Sequence, residues 1–177
     1  MKKNIFSIVA LAAMVVLPMS MFAAGETTAT FTDAVGKATI ICPLTLTYDA
    51  SSPLDFGTIS STGTAFTVTA DAKTSTWNAP SNGATYFSGT KTFAKFTIAG
   101  AAGASYSVTL PSELTLTKAD GSVGSAGTVT LKDWNTSAAK VITNQSGDDF
   151  LVGATLTATA NATGSFQTNF SVTVAYN

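Results

Sequence analysis

Histidine and arginine are both absent from this 177-residue sequence, and cysteine occurs once, as Cys42. Without histidine, the chain lacks the commonest general base and the commonest metal ligand of proteins. Without a second cysteine, no disulfide can form inside the chain, so its stability has to come from packing. The two absences together argue against a zinc or copper site.

Charge is also scarce, at 11% of residues, and every basic residue is a lysine. A chain with no arginine and few lysines is poorly suited to nucleic acid, which needs clustered cations. Carboxylates are equally scattered: beyond residue 25 the glutamates are Glu26 and Glu113, and neither has another acid beside it in the sequence. We therefore predict that the protein is not an enzyme and has no catalytic residues, no cofactor and no metal centre.

Two short acidic stretches come nearest to a metal-binding pattern. Asp148-Asp149 and the Asp-Gly-Ser run at 120–122 offer oxygen ligands of the kind that calcium prefers, but neither matches a complete calcium-binding loop. Solvated acids at turns are the simpler interpretation. Asp55 is interpreted in the same way, as an acceptor of hydrogen bonds within its own turn.

The first residues predict export. Two lysines precede an apolar run over 5–17, and small residues follow at 23–25. This order of basic, apolar and small residues is typical of a cleaved secretory signal peptide, which we assign to residues 1–25. The apolar run is short for a membrane span, and the rest of the chain contains no predicted transmembrane segment.

Threonine is abundant in the remaining chain, together with serine, asparagine and glycine, as in all-β extracellular proteins. Short segments of alternating apolar and polar residues recur between turn signals, about every 8–12 residues, which is typical of a sandwich or a barrel. We predict one all-β, immunoglobulin-like antiparallel β-sandwich over residues 38–177. Its expected strands lie at 39–48, 54–59, 65–70, 93–99, 105–110, 114–117, 128–133, 139–143, 150–160 and 166–177.

The clearest alternation is in the terminal strand, where apolar residues occupy every second position from Phe170 to Tyr176. Side chains two residues apart point to the same face of a strand. We predict that four of them form the core-facing side of this strand: Phe170, Val172, Val174 and Tyr176. Cys42 lies in a similar alternating row and is interpreted as a small buried hydrophobe.

Residues 26–37 form a predicted extended arm. Ala29, Phe31 and Val35 share one alternating face, interrupted by Asp33, and Gly36 is a possible hinge. Such an arm can add as a strand to the sheet edge of a neighbouring subunit, with backbone hydrogen bonds giving affinity and side chains filling pockets. The alternatives are a frayed terminus and a strand that pairs within its own sheet.

Six segments of the chain carry a family resemblance; they lie at 41–46, 54–59, 94–100, 106–111, 151–156 and 172–177. In this order they resemble the exported family known as domain of unknown function 4402. The resemblance implies a secreted protein of a Gram-negative bacterium, with an immunoglobulin-like sandwich similar to pilin and adhesin subunits of fimbriae. It implies no catalytic residue.

Export, a sandwich fold and the arm together favour a structural role. The hypothesis is a non-catalytic subunit of a cell-surface filament, reached through the periplasm and assembled by β-strand addition. Its expected partners are other copies of itself and the proteins of export and assembly, with no nucleic acid. The alternative is a monomeric secreted or surface-attached adhesion module that binds glycans through the region 77–90, which contains Trp77 and other aromatic residues.

Overall fold

The computed structural model describes residues 35–119 and 127–177. Within these ranges the chain forms twelve β-strands and no helix, which confirms the all-β prediction. The predicted signal peptide, the arm residues Ala29 and Phe31, and the acidic run at 120–122 lie outside the described residues. The strands are β1 (Thr45–Tyr48), β2 (Thr58–Ser60), β3 (Phe66–Asp71), β4 (Thr76–Trp77), β5 (Thr85–Ser88), β6 (Ala94–Ala99), β7 (Tyr106–Thr109), β8 (Glu113–Lys118), β9 (Val129–Thr136), β10 (Asp148–Ala158), β11 (Phe166–Gln167) and β12 (Thr173–Tyr176).

The chain divides into two units, Met1–Thr39 and Ile40–Asn177, and these strands all belong to the second unit. Every strand pair is antiparallel. The largest sheet has the order β1-β6-β10-β9-β8-β11, with β3 joined to β10 and β4 joined to β3. The small sheets β12–β7 and β2–β5 contribute side chains that pack against this large sheet, so the fold is a curled antiparallel sandwich.

Strand β10 is the centre of the sandwich because one of its edges serves two neighbours. Its first half, from Asp148 to Val152, pairs with β6, and its second half, from Thr155 to Ala158, pairs with β3. On its other edge β10 pairs with β9 from Val152 to Ala158, with a shift of register between Gly153 and Thr155. The irregularity bends β10 and allows the two neighbours to diverge.

Gly153 permits this divergence. A Cβ atom at this position would overlap the backbone carbonyl of Ala70 and would lie 3.2 Å from the amide nitrogen of Ala72, so the residue at 153 can carry no side chain. The Asn135 amide completes the backbone contacts there: its Nδ2 donates to Ala70 O at 3.0 Å, and its Oδ1 accepts from Ala72 N at 2.7 Å. The Asn135 side chain thus makes the hydrogen bonds to Ala70 and Ala72 that a paired strand would otherwise make.

The apolar core falls into two clusters on either side of the bend. Core cluster 1 lies between β3, β8, β9 and the second half of β10, and core cluster 2 lies between β6, β7 and the first half of β10. The buried members of cluster 1 are Phe56, Phe66, Val68, Ala70, Ala84, Val129, Leu131, Ala154, Leu156 and Ala158. The buried members of cluster 2 are Ala94, Phe96, Ile98, Tyr106, Ile142, Phe150 and Val152.

The predicted strand at 39–48 is too long, because the structure has only β1, Thr45–Tyr48. Pro43 has no N–H to give to a ladder, and Ile40 is 94% exposed, so nothing extends the pairing toward lower numbers. The predicted strand at 54–59 is also wrong in extent. Asp55 makes an isolated bridge with Thr92, and Gly57 then takes a positive φ of 69° before β2 begins.

The segment 139–143 is not a strand, since it makes a single bridge, between Ser105 and Val141. Lys140 has a φ of 65°, which interrupts the extended conformation. The predicted strand at 166–177 is two strands, because Phe166–Gln167 pairs with β8 whereas Thr173–Tyr176 pairs with β7. The chain crosses from the large sheet to a small one between them.

The close approach at Gly153 gives a prediction for stability. We expect Gly153→Ala to reduce the free energy of unfolding by about 3 kcal/mol, the upper end of the usual range for overpacking, because the atoms it meets are backbone and cannot move aside. Urea unfolding measures the change. The control is Gly36→Ala, where a Cβ meets nothing within 4 Å. If the two variants are equally stable, the close approach of the β3 backbone to residue 153 is not required where β3 and β6 diverge.

Candidate functional site

The paired acids Asp148 and Asp149 hold protein segments together. The Asp148 carboxylate accepts hydrogen bonds from the Thr143 amide and, at 2.7 Å, from Thr143 Oγ1. Asp149 accepts from Thr97 Oγ1 at 2.6 Å and forms an ion pair with Lys95 Nζ at 2.8 Å. The Thr143 bonds lower the pKa of Asp148, and the bond from Lys95 is the largest cause that lowers the pKa of Asp149. Within 35–119 and 127–177, no group of three or more His, Cys, Asp or Glu residues is arranged to hold a metal.

The aromatic region considered for glycan binding has most of its ring faces occupied. Trp77 packs against Phe93, with ring centroids 4.9 Å apart. Lys91 Nζ lies 3.7 Å from the centroid of the Tyr86 ring and covers its face. Burial raises the pKa of the Tyr86 hydroxyl. Phe87, 76% exposed, remains as a surface on which a sugar ring could stack.

Tyr176 joins three parts of the chain through its hydroxyl group. The hydroxyl donates a hydrogen bond to Cys42 O at 2.9 Å and accepts one from Ala101 N at 2.8 Å. Gly100 makes room for it, because a Cβ there would overlap the hydroxyl and would lie 3.2 Å from Leu44 Cδ1. This tyrosine contact therefore fixes the segment that leads into β1 against the end of β12.

Cys42 is half-buried, less enclosed than the buried hydrophobe that the alternation predicts. Its Sγ accepts a hydrogen bond from Gln145 Nε2 at 2.8 Å. The thiol and the backbone carbonyl of the same residue are thus both engaged, and both hold this segment in place.

The four apolar residues of the terminal segment lie on one side of the chain. Phe170, Val172, Val174 and Tyr176 are half-buried and pack against core cluster 2, whereas the residues between them are exposed. The Phe170 ring lies 4.8 Å from Trp134, centroid to centroid. These contacts place the segment over core cluster 2.

The outer edge of β12 has no partner strand among the described residues. The Asn177 amide donates to Ser105 O at 3.1 Å, and the register continues with Ala175 opposite Ser107 and Thr173 opposite Thr109. Hydrogen-bonded and non-hydrogen-bonded pairs alternate along an antiparallel ladder, so these odd-numbered residues bond to β7. The backbone N–H and C=O groups of Val174 and Tyr176 therefore point away from β7, to the open edge.

Core cluster 2 is incompletely covered beside this edge. Its central members are almost inaccessible, as Ile98 and Val152 at 0% exposure illustrate. The side chains that reach it from β1, from the segment before β1 and from β12 are only half-buried. We call this set the open flank; it consists of Leu44, Leu46, Val172, Val174 and Tyr176.

Of the three candidate arm residues, Val35 is described and is 77% exposed. Ala29 and Phe31 lie outside the described residues. The arm therefore remains a prediction from the sequence, while the edge and the open flank are features of the structure.

The sequence did not indicate which polar side chains make long-range hydrogen bonds in the fold. Asn135 and Gln145 look like ordinary surface amides in the sequence, and their partners lie 65 and 103 residues away. The Tyr176 hydroxyl reaches a carbonyl 134 residues away. The alternation around Tyr176 was visible, but it gave no indication of a bond that depends on distant segments meeting.

These features define an all-β sandwich whose polar side chains serve mainly to hold its own backbone, and whose candidate functional feature is a sheet edge. The chain belongs to the family described as domain of unknown function DUF4402, whose model matches residues 46–176. No curated protein and no solved structure gave a significant match to the chain. Among the described residues, no helix is long and apolar enough to cross a membrane.

The tyrosine contact gives a second prediction. We expect Tyr176→Phe to lower the free energy of unfolding by about 1–3 kcal/mol, because the Ala101 amide and the Cys42 carbonyl lose their partner. Urea unfolding measures this loss. The control is Tyr48→Phe, which removes a hydroxyl from a 46% exposed side chain without a hydrogen bond in the described structure. If both variants lose the same stability, the contact does not hold the segment.

Asp148 gives a prediction for acid stability. Its pKa is lowered from 3.8 in the folded protein, so its contribution to stability is complete above 3.8 and is lost as the pH falls through the lower folded value. We expect Asp148→Asn to flatten the decline of stability below pH 3.8. Urea midpoints over a pH series measure the effect.

The matched control for this pH series is Asp133→Asn. Asp133 is exposed and makes no side-chain hydrogen bond or ion pair among the described residues, so this variant removes a carboxylate without removing a contact. An unchanged acid limb in the Asp148 variant would show that the loop at 143–148 does not depend on this carboxylate.

Proposed function

We propose that the protein is a non-catalytic structural subunit of a bacterial cell-surface filament that assembles by β-strand addition between subunits. The observation that carries this proposal is the edge of β12, which has no partner strand among the described residues and lies beside the half-covered core cluster 2. An extended segment that pairs with such an edge gains backbone hydrogen bonds and covers apolar side chains in a single step.

The sequence of the edge supports the same role. Natural proteins protect exposed edges with lysine, proline, bulges or very short strands. Residues 170–177 contain no charged residue and no proline, and the pairing of β12 with β7 has no bulge. An edge that carries no charge, no proline and no bulge is suited to accepting another strand, and the four residues of β12 set the length of the pairing.

Export is part of the proposal. The predicted signal peptide at 1–25 directs the chain through the periplasm to the cell surface, and the resemblance to fimbrial subunits is consistent with that destination. The proposed partners are further copies of this chain together with export and assembly proteins. A contact between unlike surfaces of identical subunits does not close on itself in general, and its repetition forms a fibre.

A monomeric adhesion module is the second candidate. The exposed Phe87 supports it, but Trp77 is packed against Phe93 and Lys91 covers the ring of Tyr86. Because these faces are occupied, the structure favours the filament over the glycan-binding alternative.

Deletion of residues 26–35 tests the filament proposal. We expect the deletion to abolish polymer, since the proposed donor strand is removed, and to leave the sandwich over residues 38–177 folded. Unheated surface extracts on a denaturing gel and electron micrographs of the same material measure polymer. The control replaces 26–35 by a Gly/Ser linker of equal length. A parent chain that forms neither a ladder nor fibres would refute the proposal.

A further inference from the structure

We infer that Asn82 is a site of spontaneous deamidation, and that the product loosens the junction between the turns at 61–65 and 81–84. Asparagine is among the chemically labile residues of proteins. Asn82 and Gly83 form an exposed turn, in which their φ values are positive, 54° and 75°. The reaction needs only water as co-reactant, and it is independent of the proposed function.

Gly83 supplies the nucleophile. Its backbone nitrogen donates no hydrogen bond to any described residue. A Cβ atom at this position would meet only the Thr62 side chain, at 3.8 Å and beyond, so the space around the glycine is open. Because glycine has no side chain, nothing of its own obstructs the approach of this nitrogen to Asn82 Cγ.

The reaction runs through a cyclic imide. The Gly83 nitrogen loses its proton and bonds to Asn82 Cγ, the Cγ–Nδ2 bond breaks, and the amide group leaves as ammonia. Water then opens the ring at either carbonyl, which gives aspartate or isoaspartate. In both products a neutral amide has become a carboxylate, with the uptake of water and the release of ammonia.

Asn161 shows what distinguishes Asn82 from the other asparagines. It is also exposed and also has a positive φ, 61°. The residue that follows it is Ala162, which carries a side chain and whose nitrogen donates to Thr159 O at 3.3 Å. In the whole sequence, Asn82 is the asparagine that precedes a glycine.

The Asn82 side chain and carbonyl tie the two turns together. Its Nδ2 donates to Ala65 O at 2.7 Å, and its backbone carbonyl accepts from Thr64 Oγ1 at 3.1 Å. Ala65 leads directly into β3, and Ala84, just after the turn, is buried in core cluster 1. Asn82 therefore fixes the entry to β3 against the entry to β5.

Deamidation removes the bond to Ala65. A carboxylate has no N–H to donate, so Ala65 O loses its partner and faces a negative charge. In isoaspartate the main chain also gains a carbon atom, which changes the geometry of the turn. Before the reaction the same bond acts as a restraint, because it holds Nδ2 and so limits the movement of Asn82 Cγ toward the Gly83 nitrogen.

Peptide mapping by mass spectrometry, on protein aged in mildly alkaline buffer, tests the site. The product is recognised by the mass change from –NH2 to –OH and by the separation of its two isomers on chromatography. We expect Asn82 to convert at least about tenfold faster than Asn161, because the nitrogen beside Asn82 belongs to a glycine. Conversion of Asn82 no faster than that of Asn161 would overturn the assignment.

The same time course in guanidinium chloride tests the restraint. We expect Asn82 to convert at least about tenfold faster in the unfolded chain than in the folded protein, since unfolding releases Nδ2 from Ala65 O. Equal rates in the two states would overturn the restraint by this hydrogen bond.

The variant Asn82→Asp measures the effect of the product. Next to the junction, Thr67 N donates to Ser81 Oγ at 2.9 Å and Ser81 N donates to Thr67 O at 3.0 Å. We expect amide exchange at these two residues to rise at least about threefold, because the neighbouring tie to Ala65 is lost. The matched control is Asn78→Asp, which adds the same charge at an exposed asparagine whose side chain bonds to no described residue. Equal exchange in the two variants would overturn the role of the Asn82 amide at the junction.

Discussion

The close approach of the β3 backbone to Gly153 is the contact on which the arrangement of the sandwich depends. It allows one edge of β10 to serve β6 along its first half and β3 along its second. Asn135 stabilises the point of divergence by supplying both a donor and an acceptor to the backbone of β3. Because the two neighbours diverge, the apolar interior is divided into two clusters, and each cluster needs its own cover.

The two clusters are covered unequally, and the candidate site lies beside the less covered one, cluster 2. Cluster 1 is enclosed by β3, β8 and β9 together with aromatic residues such as Trp77 and Phe166. Cluster 2 has β7 and β12 as its second layer, and the side chains that reach it from β1 and β12 are only half-buried. No disulfide can form within the chain, so packing and hydrogen bonds hold this layer, and the tyrosine contact at its end helps to keep the layer in register.

The sequence was sufficient to predict the regular part of this arrangement. Alternation over β3, β6 and β10 predicts strands that the structure contains, because each has one face in the core and period-two burial follows directly. Asn-Gly is a strong turn dipeptide because both residues tolerate positive φ, and the structure has positive φ at Asn82 and Gly83. The division of 166–177 between two sheets was not predictable, because it depends on which distant strand each half meets. The same limit applies to the site, because the edge of β12 is open where no other described strand lies beside it, and that depends on the three-dimensional arrangement and not on the local sequence.

An exposed neutral edge is a hazard as well as a means of assembly. A strand without lysine, proline or a bulge can pair with any extended segment that it meets, including those of unfolded chains. In the proposed filament, a segment of a neighbouring subunit covers the edge through backbone groups that would otherwise be exposed, so the hazard and the proposed assembly have one physical origin.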